Sequence, residues 1–508
     1  RGYAGRTVTV DVEDEGRIVG SEQVVLPADG SQVAVRMRAM ATEPGARTLR
    51  VRVGAQQGEL VPQNNVRETQ VEVRDRSEKI LYFEGEPRFE LKFIRRAVAD
   101  DGNLHVVTLQ RTADKKFYRL DVDKPEELVN GFPSSREELF SYRGLILGSV
   151  EAGAFTGEQL QMVADFVDKR GGGLLMLGGP RSFGEGGYAG TPIADALPVS
   201  FARGQTPPDR LGVVRLKIGP TREGSGHPLA QIAADERASA RRWPELPELT
   251  VVNQLGNVKA GATVLLTGSD ERRRNHVVLA QERYGRGKAM ALAAQDTWRW
   301  QMHASIAVDD QTHETFWRQM LRWLVDGVPE AVEVRVPERV NPGDVVTVLA
   351  DVVDAAFVEV NDATVVAHVT APDGTVSDAP LTWGGRKAGE YRGTISTSQP
   401  GNYQVQIDAT RSGRSLGQGT VHVQASAGTD EFVSAGMNAE RLRRIADATG
   451  GRFYTADTLS RLPEDIRYSG RGVVSVEERE LWNMPILLFL LIGFVCAEWR
   501  YRRSVGLG

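Results

Sequence analysis

The segment Leu481–Ala497 reads LWNMPILLFLLIGFVCA and contains no charge. A helix of about 17–25 apolar residues suffices to cross a bilayer. Trp482 and Trp499 bracket the run, as aromatic residues do at a membrane interface. Glu477, Glu478 and Glu480 precede it, and Arg500, Arg502 and Arg503 follow. This asymmetry predicts a single transmembrane helix over residues 481–499 and a cytoplasmic tail over residues 500–508. The bulk of the chain would then lie outside the cytoplasmic (inner) membrane, in the periplasm or its equivalent. A buried core helix is the alternative, and the contrast between the two flanks argues against it. The sequence starts at Arg1 with no leader, so the expectation is that upstream sequence supplies the export signal.

Outside this run the chain has an ordinary globular composition, 41% hydrophobic and 25% charged. Its 508 residues suit three to five domains. The net charge of −5 gives no sign of a nucleic-acid partner. One cysteine is present, Cys496, inside the apolar run. That excludes a disulfide framework, a cysteine zinc site and a cysteine nucleophile from the rest of the chain.

Residues 1–76 read as strands of an immunoglobulin-like β-sandwich. Thr7–Val12, Gln32–Met37, Leu49–Val53 and Val71–Val73 alternate between Gly, Pro and Asp turns. Residues 78–328 change rhythm. Short apolar runs at Lys79–Phe83, His105–Leu109, Gly144–Gly148 and Leu174–Leu177 alternate with amphipathic helices. Thr156 caps one of these helices, with Gln159 at capping-box spacing. This order predicts a parallel sheet with helices on both faces, with later strands at Val264–Leu266, Val277–Ala280 and Ala289–Leu292 and a closing helix at Thr315–Val325. Residues 331–424 return to strand alternation and read as a second immunoglobulin-like sandwich. Residues 430–470 form a small helical segment.

Ligands of open α/β sheets gather at the carboxyl ends of strands. The glycine-rich stretch Leu177–Tyr188 follows a predicted strand, so Gly178, Gly179, Arg181, Ser182, Phe183 and Gly184 are candidates for a binding loop. The stretch has neither a P-loop lysine nor G-x-G-x-x-G spacing, which argues against a nucleotide. A tight loop needed only for packing is the alternative. Asp296, Trp298, Arg299 and Trp300 form a second candidate group. The neighbouring cluster of Asp296, His303, Asp309, Asp310, His313 and Glu314 matches no metal motif and reads as a polar loop ahead of a helix, capped by Asp310 or Thr312. No metal and no cofactor is expected.

The order Gly144-Leu-Ile-Leu-Gly148, amphipathic helix, Gly173-Leu-Leu-Met-Leu-Gly-Gly-Pro-Arg-Ser-Phe-Gly184 resembles the class I glutamine amidotransferase-like fold, which is flavodoxin-like. With Asp296-Thr-Trp-Arg-Trp300, it is similar more narrowly to membrane-anchored bacterial proteins that carry an upstream von Willebrand A domain. The resemblance implies a cysteine nucleophile on the turn after the fourth strand, which here falls at Gly178–Pro180. No cysteine stands there. Three readings follow. The chain is a membrane-anchored extracytoplasmic binding or scaffold protein with a catalytically inactive amidotransferase-like domain. Alternatively it is a cell-envelope hydrolase using Ser182 in the Gly178–Tyr188 loop, which needs a base nearby. The third reading is a carbohydrate-binding surface module with exposed tryptophans. Expected partners are the membrane and other envelope proteins, and the resemblance adds a MoxR-type ATPase.

Overall fold

The computed structural model describes residues 2–35, 37, 43–59, 61–73, 76–201, 212–253, 255, 257–426, 437–465 and 484–506. The chain divides into two units, Arg1–Val433 and Ser434–Gly508.

In the first unit, β1 (Thr7–Asp14), β2 (Arg17–Val25), β3 (Gly45–Val53) and β4 (Val66–Val73) form one antiparallel sheet in the order β2-β1-β3-β4. Val8, Val10 and Val12 are its buried row, as a period of two requires. Among the described residues this region has one sheet, not the two of a sandwich. The described residues of Gln32–Met37 belong to no strand. Alternation specifies which face is apolar; it does not specify a ladder neighbour.

The α/β domain is built on β5 (Glu78–Glu84), β6 (Leu104–Ala113), β7 (Lys116–Leu120), β8 (Gly144–Leu147) and β9 (Gly173–Leu177). A small ribbon pairs β10 (Val199–Ser200) with β13 (Asn257–Val258). The remaining strands are β11 (Val214–Pro220), β12 (Leu249–Val251), β14 (Thr263–Ser269), β15 (Asn275–Tyr284) and β16 (Gly287–Leu292). The ten-stranded sheet runs β12-β11-β14-β15-β16-β9-β8-β5-β6-β7. Its centre, β16-β9-β8-β5-β6, is parallel. In order of appearance this is 2-1-3-4-5, the flavodoxin-like arrangement. Both flanks are antiparallel, so the all-parallel expectation is corrected. The reason is local: β14, β15 and β16 are joined by turns at Asp270–Arg274 and Gly285–Arg286, too short for a crossover.

The helices form where the local signals place them. Thr156 and Gln159 make a reciprocal capping box on the helix Gly157–Asp168. Helix α1 (Phe89–Val98) follows β5 and buries Leu91, Phe93, Ile94, Ala97 and Val98. The closing helix Thr312–Val325 buries Phe316, Trp317, Met320, Leu321 and Leu324. It begins one turn before Thr315, with Asp310 Oδ1 accepting from Thr312 N at 2.9 Å.

Eight strands between Val332 and Ala425 form the second β-domain. Strand Val376–Trp383 pairs with Thr364–Thr370 along its length and with Glu390–Ser396 at its far end, so it passes from one layer to the other. Two kinds of contact hold the domains of this unit together. The strands enter and leave the α/β domain at an ionic clasp, where Arg143 lies against Glu78 and Glu330 and donates to Val328 O. Arg76 pairs with the same Glu330. The N-terminal sheet also touches the second β-domain directly, through His422 Nδ1 and Glu72 Oε2 at 2.8 Å and through Gln70 to Asn402.

In the second unit, Asn438 caps the helix Ala439–Ala448 through Arg441 N. The helix Pro485–Ser504 follows later in the chain. No helix among the described residues is long and apolar enough to cross a membrane. The uninterrupted apolar part, Pro485–Ala497, spans about 20 Å at 1.5 Å per residue, against a hydrocarbon core of about 30 Å. Glu498, Arg500, Arg502 and Arg503 occupy the rest of the helix. Trp482, the first of the two bracketing tryptophans, lies outside the described residues. The transmembrane helix over residues 481–499 is therefore unsupported.

The clasp makes a specific prediction. Arg143 is 8% exposed, and removing it takes one of the two arginines from the partly buried Glu78 and Glu330 carboxylates, which keep Arg76. Arg143→Ala should lower stability by about 2–4 kcal/mol, read as a shift of the urea midpoint. An unchanged midpoint would show that the clasp is incidental to folding.

Candidate functional site

In a 2-1-3-4-5 sheet the chain reverses direction at the first and third parallel strands, here β5 and β8, and ligands commonly enter outside their carboxyl ends. In this molecule that crevice is occupied by the protein's own side chains. Glu84 ends β5 and is fully buried. Its carboxylate accepts from Tyr82 OH at 2.9 Å, from Ser149 N at 2.8 Å and from Arg88 Nη2 at 2.8 Å. Arg88 also donates through Nη1 to Gly178 O at 2.6 Å. One ion pair thus joins the ends of β5, β8 and β9. A buried charge pair of this kind persists because its remaining lone pairs and protons are hydrogen-bonded.

The glycine-rich stretch is stitched down in the same way. Asn253, fully buried, accepts from Gly179 N at 2.7 Å and donates to Glu185 Oε2 at 2.9 Å. Ser182 is fully buried, and its Oγ donates to Gly148 O at 3.2 Å. Phe183 is buried against Phe201 with φ +55°, a left-handed conformation that costs energy for a residue with a side chain. A Cβ on Gly178 would collide with Ala293 O, and one on Gly179 would meet Ser149 and Arg88. Only Arg181 of this group is well exposed, with ion pairs to Glu151 at 3.5 Å and Glu86 at 3.9 Å. Gly178, Gly179, Ser182, Phe183 and Gly184 are therefore placed as packing and turn residues.

The open space lies next door. A cleft of about 660 Å³ runs beside the first turn of α1, between the ends of β6 and β7 and the loop after β16. Of the second candidate group, Asp296 and Trp298 line it, while Arg299 and Trp300 do not. Trp300 is a core residue, packed edge-on to Trp243 and Phe316, with Nε1 donating to Pro247 O at 3.1 Å. Arg299 reaches Asp296 only at 3.8 Å. Sequence reasoning missed Arg88, Phe89, Glu90 and Lys92, which form the α1 wall. The signal was the charged string Glu84-Gly85-Glu86-Pro87-Arg88 directly after an apolar strand.

Behind the wall is a buried polar chain. Thr297 Oγ1 donates to Glu90 Oε1 and accepts from Trp317 Nε1 at 2.8 Å, and His313 Nε2 lies 3.3 Å from the same oxygen. His313 Nδ1 has no hydrogen-bond partner among the described residues. Burial raises the Glu90 carboxyl to about 7 against its Thr297 and Arg88 contacts. Burial raises Asp296 as well and lowers His313 to about 3. The polar cluster ahead of the closing helix does not converge. No group of three or more metal-ligating side chains occurs among the described residues. Arg242 holds Asp310 at 2.7 Å, which fixes the loop.

With this geometry in place, the comparisons locate the domain. Residues 109–326 match the family model described as "Putative glutamine amidotransferase". The chain therefore contains a central amidotransferase-like domain within a β-rich, multidomain fold. No curated protein matches the chain. Among solved structures, the GH42 beta-galactosidase Gan42B is 14% identical, with a TM-score of 0.27 over 64% of this chain and 41% of that one. A beta-galactosidase from Rahnella sp. R3 is 13% identical, with a TM-score of 0.25 over 63% of this chain and 41% of that one. The chain thus spans less than half the length of these two enzymes. The Lin-41 filamin domain is 16% identical, with a TM-score of 0.17 over 20% of this chain and 95% of that one.

Glu90 and His313 give opposite pH dependences. Glu90 binds its proton more tightly in the folded chain, so its contribution is present below about 4.5 and is lost as pH rises through about 7. His313 is depressed, so its contribution is present above about 6.5 and is lost as pH falls towards about 3. The two oppose each other in between, and only a difference measurement isolates one. The stability of Glu90→Gln minus that of the wild type should grow by about 3 kcal/mol from pH 4.5 to pH 7. Parallel stability curves for the two proteins would mean that Glu90 ionises as an ordinary glutamate.

Proposed function

We propose that the chain is a binding or scaffold protein whose amidotransferase-like domain has no amidotransferase chemistry. One observation carries this reading: the turn after β9 has no cysteine, and its two glycines have no room for one. Thioester formation needs a thiolate beside a base, and the sequence has no cysteine outside the terminal helix. At Gly178 or Gly179 a thiol side chain would have to displace Ala293 O, Ser149 or Arg88. The Ser182 hydrolase is the weaker reading, because that hydroxyl is buried and bonded to a backbone carbonyl. A nucleophile must reach its substrate and lose its proton to a base.

Anchoring to a membrane remains part of the proposal. Its support is the terminal helix, where Ile486, Leu488, Phe489, Leu491 and Phe494 are each more than half exposed, with Trp499 and three arginines at the far end. An apolar surface of this kind binds lipid at an interface even where it is too short to span.

Two measurements test these statements. The purified chain should release no ammonia from glutamine above the buffer blank, before or after Ser182→Ala. Turnover that disappears with Ser182→Ala would establish the hydrolase instead. The chain should also float with phosphatidylcholine–phosphatidylglycerol liposomes and stop floating when residues 485–504 are deleted. Equal flotation of the two forms would remove the helix as an anchor.

A further inference from the structure

The cleft beside α1 has chemistry of its own. Its volume of about 660 Å³ falls in the range of small-ligand sites, about 300–1,000 Å³. Its charges are of both signs. On the α1 side, Lys92 is exposed and has no ion pair among the described residues. The other two cations are already engaged, Arg88 by Glu84 and Arg95 by Asp121. Asp296 uses Oδ1 to accept from Thr250 N at 2.7 Å. Its Oδ2 lies 3.8 Å from Arg299, and the Thr250 side chain also interacts with the carboxylate. Glu90 lies beside Asp296 in the same wall.

Two neutral amides also line the cleft. The side chains of Gln110 and Gln295 make no hydrogen bond among the described residues. Each offers a donor pair and an acceptor. One rim is aromatic: Phe89 is 66% exposed and lies 5.7 Å from the Trp298 ring, centroid to centroid.

From this arrangement we propose that the cleft binds a short zwitterionic peptide of two or three residues with an apolar or aromatic side chain. Its carboxylate meets Lys92, its ammonium meets Asp296, its amide bonds meet Gln110 and Gln295, and its side chain lies on Phe89 and Trp298. Other ligand classes fit less well. A nucleotide brings several negative charges to a site with one free cation among the described residues. A neutral glycan supplies no charge to either Lys92 or Asp296.

The inference rests on the reading of this domain as a binding domain, and one titration separates the two. Isothermal titration of the full chain is made with Ala-Phe, N-acetyl-Ala-Phe, Ala-Phe amide and cellotetraose. Ala-Phe should bind, and blocking either terminus should weaken binding at least about tenfold, a loss of about 1.4 kcal/mol. Lys92→Ala should weaken binding of Ala-Phe but not of its amide. Asp296→Asn should weaken binding of Ala-Phe but not of its N-acetyl form, because a lost interaction is counted once in such a cycle. No binding of Ala-Phe, equal affinity for the blocked forms, or a preference for cellotetraose would each overturn the site and leave the non-catalytic reading intact. Cleavage of Ala-Phe to alanine and phenylalanine would keep the site and overturn that reading. Lys92 is exposed and the blocked peptides need no variant, so the test survives if Asp296→Asn fails to fold.

Discussion

The buried pair of Glu84 and Arg88 is the constraint on which the α/β domain depends. Three strand ends meet there, and the pair, together with Ser149 N and Gly178 O, satisfies polar groups that would otherwise point into an apolar crevice. Burial alone would disfavour the Arg88 charge, and the neighbouring Glu84 reverses that. A pair held this way makes the crevice solid. Ligand space at the carboxyl edge is thereby moved to the outer side of α1, where the cleft opens. The same pair explains the glycines: Gly148 passes against the Glu84 carboxylate and Gly179 against Arg88, and neither position has space for a Cβ.

Much of the fold was legible in the sequence because its signals are local. The capping box at Thr156 and Gln159, the apolar runs of the central strands and the amphipathic face of α1 each depend on residues a few positions apart. The signals failed where the determining contact was distant. Strand alternation in residues 1–76 could not show that one layer would suffice, since the direct neighbours of that sheet include Asn402 and His422, more than 300 residues away. The antiparallel flank of the central sheet was missed because β14, β15 and β16 carry the same apolar content as the parallel strands. Only their short connections distinguish them. The terminal helix stands differently: its apolar composition is plain in the sequence, but the apolar stretch within the described part of the helix is too short to cross a membrane.

The candidate site divides along the same line. Glycines and a serine after a strand draw attention because such loops often hold ligands. Here they mark close packing, and Asn253, which fixes them, comes from 74 residues beyond Gly179. Asp296 and Trp298 were found through their motif, yet the neighbours that give them a cleft come from α1, some 200 residues earlier. No periodicity encodes that meeting. What the sequence did contain was a run of charge after β5, and a charged residue at the end of a buried strand either faces a ligand or needs a partner.

That alternative bears on what the domain can do. In an amidotransferase the turn after the fourth parallel strand must leave room for a reactive side chain and for the substrate it attacks. Here Ala293 O leaves no space for a side chain at Gly178, and Ser149 and Arg88 leave none at Gly179. A cysteine at either glycine would have to displace one of these groups. Removing Arg88 to make space would strand the Glu84 carboxylate in the core, and an unpaired buried charge costs several kcal/mol. The arrangement that stabilises the sheet is thus the one that leaves Gly178 and Gly179 without side-chain space. The open cleft beside α1 lies outside this packed crevice and is lined by Lys92, Asp296, Gln110 and Gln295, which is why the proposed ligand is placed there.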